Sequence, residues 1–251
     1  MKLFCRHILT VIALLFYWPG LFILTHIPLP VLPLFPEIRV SDKVLHYLAY
    51  FVLVFLLWFA ISPNAKVNWR KAAVWWILFV IIWYGAFDEW LQGYVGRSPD
   101  IKDFFADSGG TITGLFLLTI FSFWSAALIV TGGIIFVFTN FAQVNPADLL
   151  VLPAAVFFLF AYVLFTVLWM RWMHHFLPVR IPEFKWLIGA LSLPAGFMLT
   201  VELFSLLVES EVAILNVIVS AAGILGTVVS TYLAVLFRHK FTGGFSSGGV
   251  N

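Results

Sequence analysis

Eight long runs of mostly apolar residues follow one another along the 251-residue chain. A helix needs about 20 such residues to cross the hydrocarbon core of a bilayer, and 63% of this sequence is hydrophobic. The runs predict an all-α integral membrane protein with about eight transmembrane helices, and a turn at 122–125 separates the fourth from the fifth. The predicted spans are 8–25, 45–62, 72–92, 104–122, 125–141, 149–170, 186–207 and 212–237.

Basic residues are distributed unevenly between the two sets of loops that eight spans create. Ten of the 14 Lys and Arg residues fall on the side of the N-terminus, and loops rich in Lys and Arg stay in the cytoplasm. We therefore expect a multi-pass protein of the plasma (inner) membrane with both termini cytoplasmic and its first run retained as a span. A net charge of +2 and a single cysteine give no reason to expect nucleic-acid binding or an internal disulfide.

Charged residues concentrate between positions 88 and 107. Seven of the 26 Lys, Arg, Asp and Glu residues fall within these 20 positions. At a rise of about 1.5 Å per residue, three different spans bring His46, Glu89 and Asp107 to one level just inside the outer face of the membrane. Because an isolated charge that faces lipid is costly, we expect these side chains to face the interior of the helix bundle and to form one outward-facing site.

Other residues recur at intervals of three or four on the same spans, and so share a helix face with these three. The three faces consist of Asp42, His46 and Tyr50 on the second span, Glu89 and Gln92 on the third, and Asp103, Asp107, Gly110 and Gly114 on the fourth. Glycines at this spacing let helix backbones approach closely. Asp103 also suits the start of a helix, where a carboxylate interacts with free amides, so part of the set admits a purely structural interpretation.

Three short motifs stand out in the first half: DKVLH at 42–46, EWLQ at 89–92 and RSPDIKDFFADSGGTITG at 97–114. In order, spacing and helix placement they resemble the VanZ-like family. Its pattern is Asp-Lys-x-x-His, then Glu-x-x-Gln, then an Arg followed by Asp-x-x-x-Asn-x-x-Gly-x-x-x-Gly. The family's Asn is Asp107 here, so an ionisable group replaces a neutral amide. The resemblance covers residues 1 to about 123. It implies a link to resistance against the glycopeptide teicoplanin and no particular reaction.

The second half is similar to the first when the two are aligned at an offset of 113 residues. This alignment pairs Glu202 with Glu89, Asn216 with Asp103 and Gly223 with Gly110. A separate upstream alignment, at an offset of 106, pairs Asp148 with Asp42 and Leu152 with His46. Four spans in each half make the two repeats parallel. We therefore predict a VanZ-like four-helix domain at 1–123, a degenerate four-helix repeat at 124–240 and a flexible tail at 241–251.

Three classes of function fit this polar set, and the sequence leaves them open. In the first, the protein binds membrane lipids or a lipid-linked glycan or peptidoglycan precursor, or a glycopeptide. The planar guanidinium of Arg97 suits an anionic head group because it donates paired hydrogen bonds. The ligand-binding residues would be Asp42, Lys43, Gln92, Arg97, Asp100, Asp103, Asp107 and Gly110.

The second class is a membrane-embedded enzyme that acts on an envelope lipid, with His46 and Glu89 as the catalytic base and acid. This chemistry requires no cofactor. In a variant of it, a divalent cation such as Mn²⁺ or Mg²⁺ is held by His46, Glu89, Asp103 and Asp107. The third class is a transporter, for which carboxylates inside a duplicated helix bundle are typical.

Overall fold

The structure is a computed structural model that describes residues 3–26, 42–95, 99–141, 151–176, 183–208 and 213–242. Within these ranges the chain forms eight α-helices and no strand, which confirms the predicted all-α class and the number of helices. The helices are α1 (Leu3–His26), α2 (Asp42–Ile61), α3 (Ala72–Gln92), α4 (Ile101–Ile120), α5 (Phe123–Phe141), α6 (Val151–Phe176), α7 (Phe184–Leu207) and α8 (Ile214–Thr242).

Seven of the eight helices in the described ranges are long and apolar enough to cross a membrane. The chain is therefore a multi-pass membrane protein. The exception is α4, whose first two turns contain Lys102, Asp103 and Asp107. Residues 121–122 separate α4 from α5, close to the predicted turn at 122–125.

The chain divides into two compact units, Met1–Val130 and Thr131–Asn251. The first unit contains α1 to α4, the second contains α6 to α8, and α5 passes from one to the other. Helix α8 extends to Thr242, and the rest of the predicted C-terminal tail lies outside the described residues.

In the first unit, the most extensive packing is between α2 and α4, while α1 packs on α2 and α3 packs on α4. Gly110 of α4 lies directly against the backbone carbonyl of Tyr47 in α2, and one helical turn later Gly114 lies against Val54. A side chain at either glycine would overlap α2. The two glycines thus provide the close backbone approach that their spacing predicts.

Successive helices of the first unit run in opposite directions, so the starts of α1 and α3 and the ends of α2 and α4 lie at one end of the bundle. Four of the six Lys and Arg residues that the structure describes in this unit lie there. Arg6, near the start of α1, donates hydrogen bonds to the Pro63 carbonyl and, at 2.6 Å, to Asn64 Oδ1 in the segment after α2. Lys66 donates to the Ile120 carbonyl at the end of α4 at 2.6 Å. We call this end, with Arg6, Lys66, Arg70 and Lys71, the basic end.

The opposite end of the same bundle holds the carboxylates. The last turns of α1 and α3 meet there, because Thr25 Oγ1 of α1 lies 3.2 Å from Asp88 Oδ1 of α3. The first turns of α2 and α4 meet there as well, because Lys43 contacts Asp103. We call this the acidic end, with Asp42, Asp88, Glu89, Asp100, Asp103 and Asp107.

The core of the second unit forms where α6 packs against α7 and α8. Trp186 of α7 is fully buried there, among Met173, Ala190 and Val228. Its indole Nε1 donates a hydrogen bond to His174 Nε2 at 3.0 Å. The buried indole therefore has the polar partner that it needs.

One packing contact of the first unit recurs in the second. A Cβ at Gly223 of α8 would lie 3.1 Å from the carbonyl oxygen of Leu159 in α6, just as Gly110 of α4 lies against Tyr47 of α2. The glycines are 113 residues apart and the two carbonyl residues 112. This contact favours a register for α6 other than the one that used Asp148, which lies outside the described residues. The internal repeat itself stays a prediction.

Candidate functional site

His46 and Asp107 face each other between α2 and α4. Asp107 lies one turn before Gly110, so the close approach of the two backbones also brings these side chains together. His46 Nδ1 lies 3.0 Å from Asp107 Oδ1, and the two residues are only 5% and 1% exposed. The pair is a buried hydrogen bond between α2 and α4.

Glu89 of α3 completes a cluster with this pair. Glu89 is 7% exposed, and its Oε2 accepts a hydrogen bond from the backbone amide of Asp100 at 3.0 Å. One ring nitrogen of His46 and one carboxylate oxygen from each of Glu89 and Asp107 lie within 4.8 Å of one another. We call these three residues, from three different helices, the His46–Glu89–Asp107 cluster.

A partly exposed rim surrounds the cluster. Lys43 Nζ lies 3.0 Å from Asp100 Oδ2 and 3.2 Å from Asp103 Oδ1, so a single ammonium group joins the starts of α2 and α4. Asp42 Oδ1 lies 3.9 Å from His46 Nε2. The rim therefore approaches Nε2 of His46, whereas Asp107 contacts the other ring nitrogen, Nδ1.

Asp100 begins α4 as its N-cap residue. Its backbone is extended (φ −122°, ψ 115°), and its side chain accepts a hydrogen bond from the Lys102 amide at 2.9 Å. That amide, together with the Lys43 ammonium, lowers the pKa of the Asp100 carboxyl below its usual value. An N-cap carboxylate satisfies an amide that the first turn of a helix leaves free, so Asp100 is in part a structural residue.

Asp88 belongs to a second polar group at the acidic end, which the sequence analysis missed. Asp88 is 1% exposed; its Oδ1 accepts from Thr25 Oγ1 at 3.2 Å, and its Oδ2 accepts from Gln92 Nε2 at 3.2 Å. His26 Nδ1 lies 3.6 Å from the same carboxylate. The signal that could have revealed this group is the face shared by Gly85, Asp88 and Gln92 at helical spacing.

The predicted site residues that the structure describes occupy four places. His46, Glu89 and Asp107 come together, and Asp42, Lys43, Asp100 and Asp103 form the rim. Gln92 donates a hydrogen bond to Asp88 in the second polar group, and Gly110 packs against the Tyr47 carbonyl between α2 and α4. Arg97 lies outside the described residues.

Two buried carboxylate oxygens of the cluster lack the hydrogen-bond partner that buried polar atoms usually have. Neither Glu89 Oε1 nor Asp107 Oδ2 has a hydrogen-bond partner among the described residues, and the same holds for the hydroxyl of Tyr50. Tyr50 lies on the face of α2 that carries His46. Buried polar atoms are nearly always paired, so these atoms mark a place where a proton, an ion or a ligand group would be stabilised.

Comparison with known protein families identifies a match in the first half of the chain. The VanZ/LLP1 family model matches residues 8–122, which include nearly all of α1 to α4 and every residue of the cluster and its rim. The match confirms the resemblance inferred from the three motifs. No curated protein and no solved structure matches the chain.

Proposed function

Because residues 8–122 of this multi-pass membrane protein match the VanZ/LLP1 family model, we propose that this region binds the head group of a cell-envelope lipid at its acidic end. The ligand class is a lipid-linked glycan or peptidoglycan precursor. Such a head group combines phosphate with many hydroxyls, and so needs both cationic groups and hydrogen-bond acceptors.

The observation that carries the proposal is the burial of His46, Glu89 and Asp107 inside a bundle that spans a membrane. A charged side chain at the centre of a membrane helix costs about 2.5–3.5 kcal/mol even on the lenient insertion scale, which is an upper limit for these groups near the helix ends. A fold that needed only to span the bilayer would not keep three such groups together. Ionisable groups placed in this way are functional candidates by default.

The rim supplies the complementary chemistry. Carboxylates accept hydrogen bonds from sugar hydroxyls. Lys43 provides a cation at the rim, with its side chain 42% exposed. From the sequence we expect Arg97, eight residues after Glu89, to add a planar donor for phosphate. Together these groups would hold the two kinds of atom that a glycan phosphate presents.

The orientation that this function requires has the acidic end outside and the basic end in the cytoplasm, as expected from the distribution of Lys and Arg. The test replaces the native thiol by Cys5→Ser and adds either Tyr94→Cys after α3 or Ala65→Cys after α2; both positions are exposed. In intact cells, a membrane-impermeant thiol reagent should label the variant with the thiol at 94 and not the one at 65. The reverse pattern would contradict an outward-facing site.

Binding itself can be measured with the full chain in lipid nanodiscs. The probe is a polyprenyl pyrophosphate that carries a disaccharide and peptide. A charge-assisted hydrogen bond contributes about 1.5–3 kcal/mol, so we expect Arg97→Lys and His46→Gln to weaken binding by about 10- to 100-fold. Glu202→Gln, a half-buried carboxylate of the second unit, is the matched control and should bind normally.

Thermal unfolding of each variant separates loss of binding from loss of folding. Equal binding by all three folded variants would refute the proposal. Binding of a glycopeptide antibiotic in place of the lipid probe would reassign the ligand class while keeping the site.

Catalysis on the same lipid is the second candidate. The hydrogen bond between His46 and Asp107 favours it, because a carboxylate that orients an imidazole is a common general-base arrangement. In this arrangement Asp107, and not Glu89, is the direct partner of His46. Release of phosphate or of a cleaved head group by wild type, and not by His46→Gln, would establish turnover.

A further inference from the structure

We propose that the His46–Glu89–Asp107 cluster binds a divalent metal ion, for which Mn²⁺ is the best match. The inference deepens the proposed function, since the role of the ion in lipid recognition rests on that function. Binding of the ion itself can be measured without any lipid.

The first argument is geometric. Three donor atoms, one on each of α2, α3 and α4, lie within 4.8 Å of one another. Ligands held at about 2.0–2.6 Å from one ion are separated by about 3–5 Å. The 3.0 Å between His46 Nδ1 and Asp107 Oδ1 is therefore also a suitable spacing for two neighbouring ligands.

The second argument is the pair of oxygens without partners. Glu89 Oε1 and Asp107 Oδ2 accept no hydrogen bond from any described residue, although both residues are more than nine-tenths buried. A carboxylate oxygen left in this state loses its hydration without compensation. A metal ion would give both oxygens the partner that they lack.

Charge leads to the same conclusion. As metal ligands, the deprotonated carboxylates of Glu89 and Asp107 would place two negative charges beside a neutral imidazole. The Lys43 ammonium at the rim is already shared between Asp100 and Asp103. A divalent ion would neutralise the two carboxylates.

The ligand types indicate which ion. Two carboxylates and one imidazole form a mixed oxygen and nitrogen set, between the oxygen sites typical of Mg²⁺ and the nitrogen-rich sites typical of later transition metals. Three protein ligands leave coordination positions open on an ion that takes six. Phosphate oxygens of the lipid could occupy these positions, which explains how an acid-rich site accepts an anionic head group.

The test uses the purified full chain in detergent, stripped with a chelator and titrated with Mn²⁺ alone while free Mn²⁺ is followed by electron paramagnetic resonance. We expect one Mn²⁺ per chain. Glu89→Gln and Asp107→Asn, which keep the side-chain shape, should each weaken binding by at least tenfold. Asp88→Asn is the matched control, because it removes a buried carboxylate one residue from Glu89 whose partners are Thr25 and Gln92.

A second readout covers variants that fold poorly. Mn²⁺ should raise the melting temperature (Tm) of wild type and of Asp88→Asn and leave that of Glu89→Gln unchanged. Absence of stoichiometric Mn²⁺ binding by wild type, or an equal loss of Mn²⁺ binding in Asp88→Asn, would overturn the inference. Protons bound to the carboxylates, and not a metal ion, would then neutralise the cluster.

The lipid experiment repeated with and without chelator distinguishes the two proposals. Lipid binding that is unaffected by the chelator, together with no Mn²⁺ binding, rejects the ion and keeps the lipid site. Mn²⁺ binding without lipid binding rejects the lipid ligand and keeps the ion.

Discussion

Substituting Gly110 by alanine should separate α2 from α4 and disrupt the candidate site from a position that touches no ligand. The new methyl group would overlap the carbonyl oxygen of Tyr47 and would stand 3.0 Å from its carbonyl carbon and 3.1 Å from the amide nitrogen of Phe51. All three are backbone atoms. No side-chain rotation relieves such a clash, so the helices themselves must move apart.

The size of the effect follows from two opposing terms. Overpacking a tight contact typically costs about 1–3 kcal/mol, occasionally more, and contact with backbone places this site at the upper end. Replacing Gly by Ala inside a helix contributes about 1 kcal/mol in the opposite direction. We expect a net loss of about 2 kcal/mol or more, which for a chain of this size is a fall in Tm of about 4–8 °C.

Two glycines elsewhere provide matched controls. Gly109 precedes Gly110, and a Cβ there meets only the side chain of Tyr47 at 3.5 Å; at Gly226, in the second unit, nothing described lies within 4 Å. Gly226→Ala should therefore stabilise the protein slightly, and Gly109→Ala should be close to neutral. The measurement is thermal unfolding in detergent, followed by tryptophan fluorescence. A Gly110→Ala protein as stable as Gly226→Ala would refute the packing of α4 on α2.

Two further predictions concern the acidic end. Asp100→Ala should lower Tm at neutral pH because α4 loses its N-cap bond to the Lys102 amide. The pKa of Asp100 is lowered in the folded chain, so its ionised carboxylate stabilises the fold at neutral pH. This stabilisation should be lost as the pH falls through the pKa of folded Asp100, and the Tm difference between Asp100→Ala and wild type should shrink below about pH 4. His46→Gln and Asp107→Asn should be coupled by about 1 kcal/mol or more in a double-mutant cycle of unfolding free energies, and additivity within about 0.5 kcal/mol would show that the two side chains do not interact.

The sequence was sufficient to predict the helices and the level at which the polar groups meet. Hydrophobic length sets where a helix can span, and a constant rise per residue converts sequence position into depth. Counting residues therefore placed His46, Glu89 and Asp107 at one height before any contact was known. Which of them bond to one another was not determined by height.

The direction of each side chain around its helix was the missing quantity. Asp88 and Glu89 are adjacent and lie at almost the same depth, but successive side chains point about 100° apart. Glu89 consequently faces His46 and Asp107, while Asp88 faces Thr25 of α1 and takes Gln92 as its partner. That choice depends on how α1 and α3 pack, which helical periodicity alone does not specify.

Register in the second unit shows the same limitation. The gapless alignment fixed α8 against α4 and paired Gly223 with Gly110. The upstream alignment crossed a loop, where insertions cost little, and it paired Asp148 with Asp42. Within the predicted repeat, the contact of Gly223 with Leu159 favours pairing Leu159 with Tyr47, a register for α6 several residues away from that alignment.

The low apolarity of α4 has a consequence for biogenesis. The insertion machinery tests each emerging segment for partition into lipid, and aspartates in a segment oppose its transfer. By the time α4 is synthesised, α2 has already emerged, and its surface at Tyr47 and Val54 matches the glycine face of α4. We therefore expect assembly with α2 to compensate for the low apolarity of α4, so that membrane integration of α4 depends on the earlier synthesis of α2.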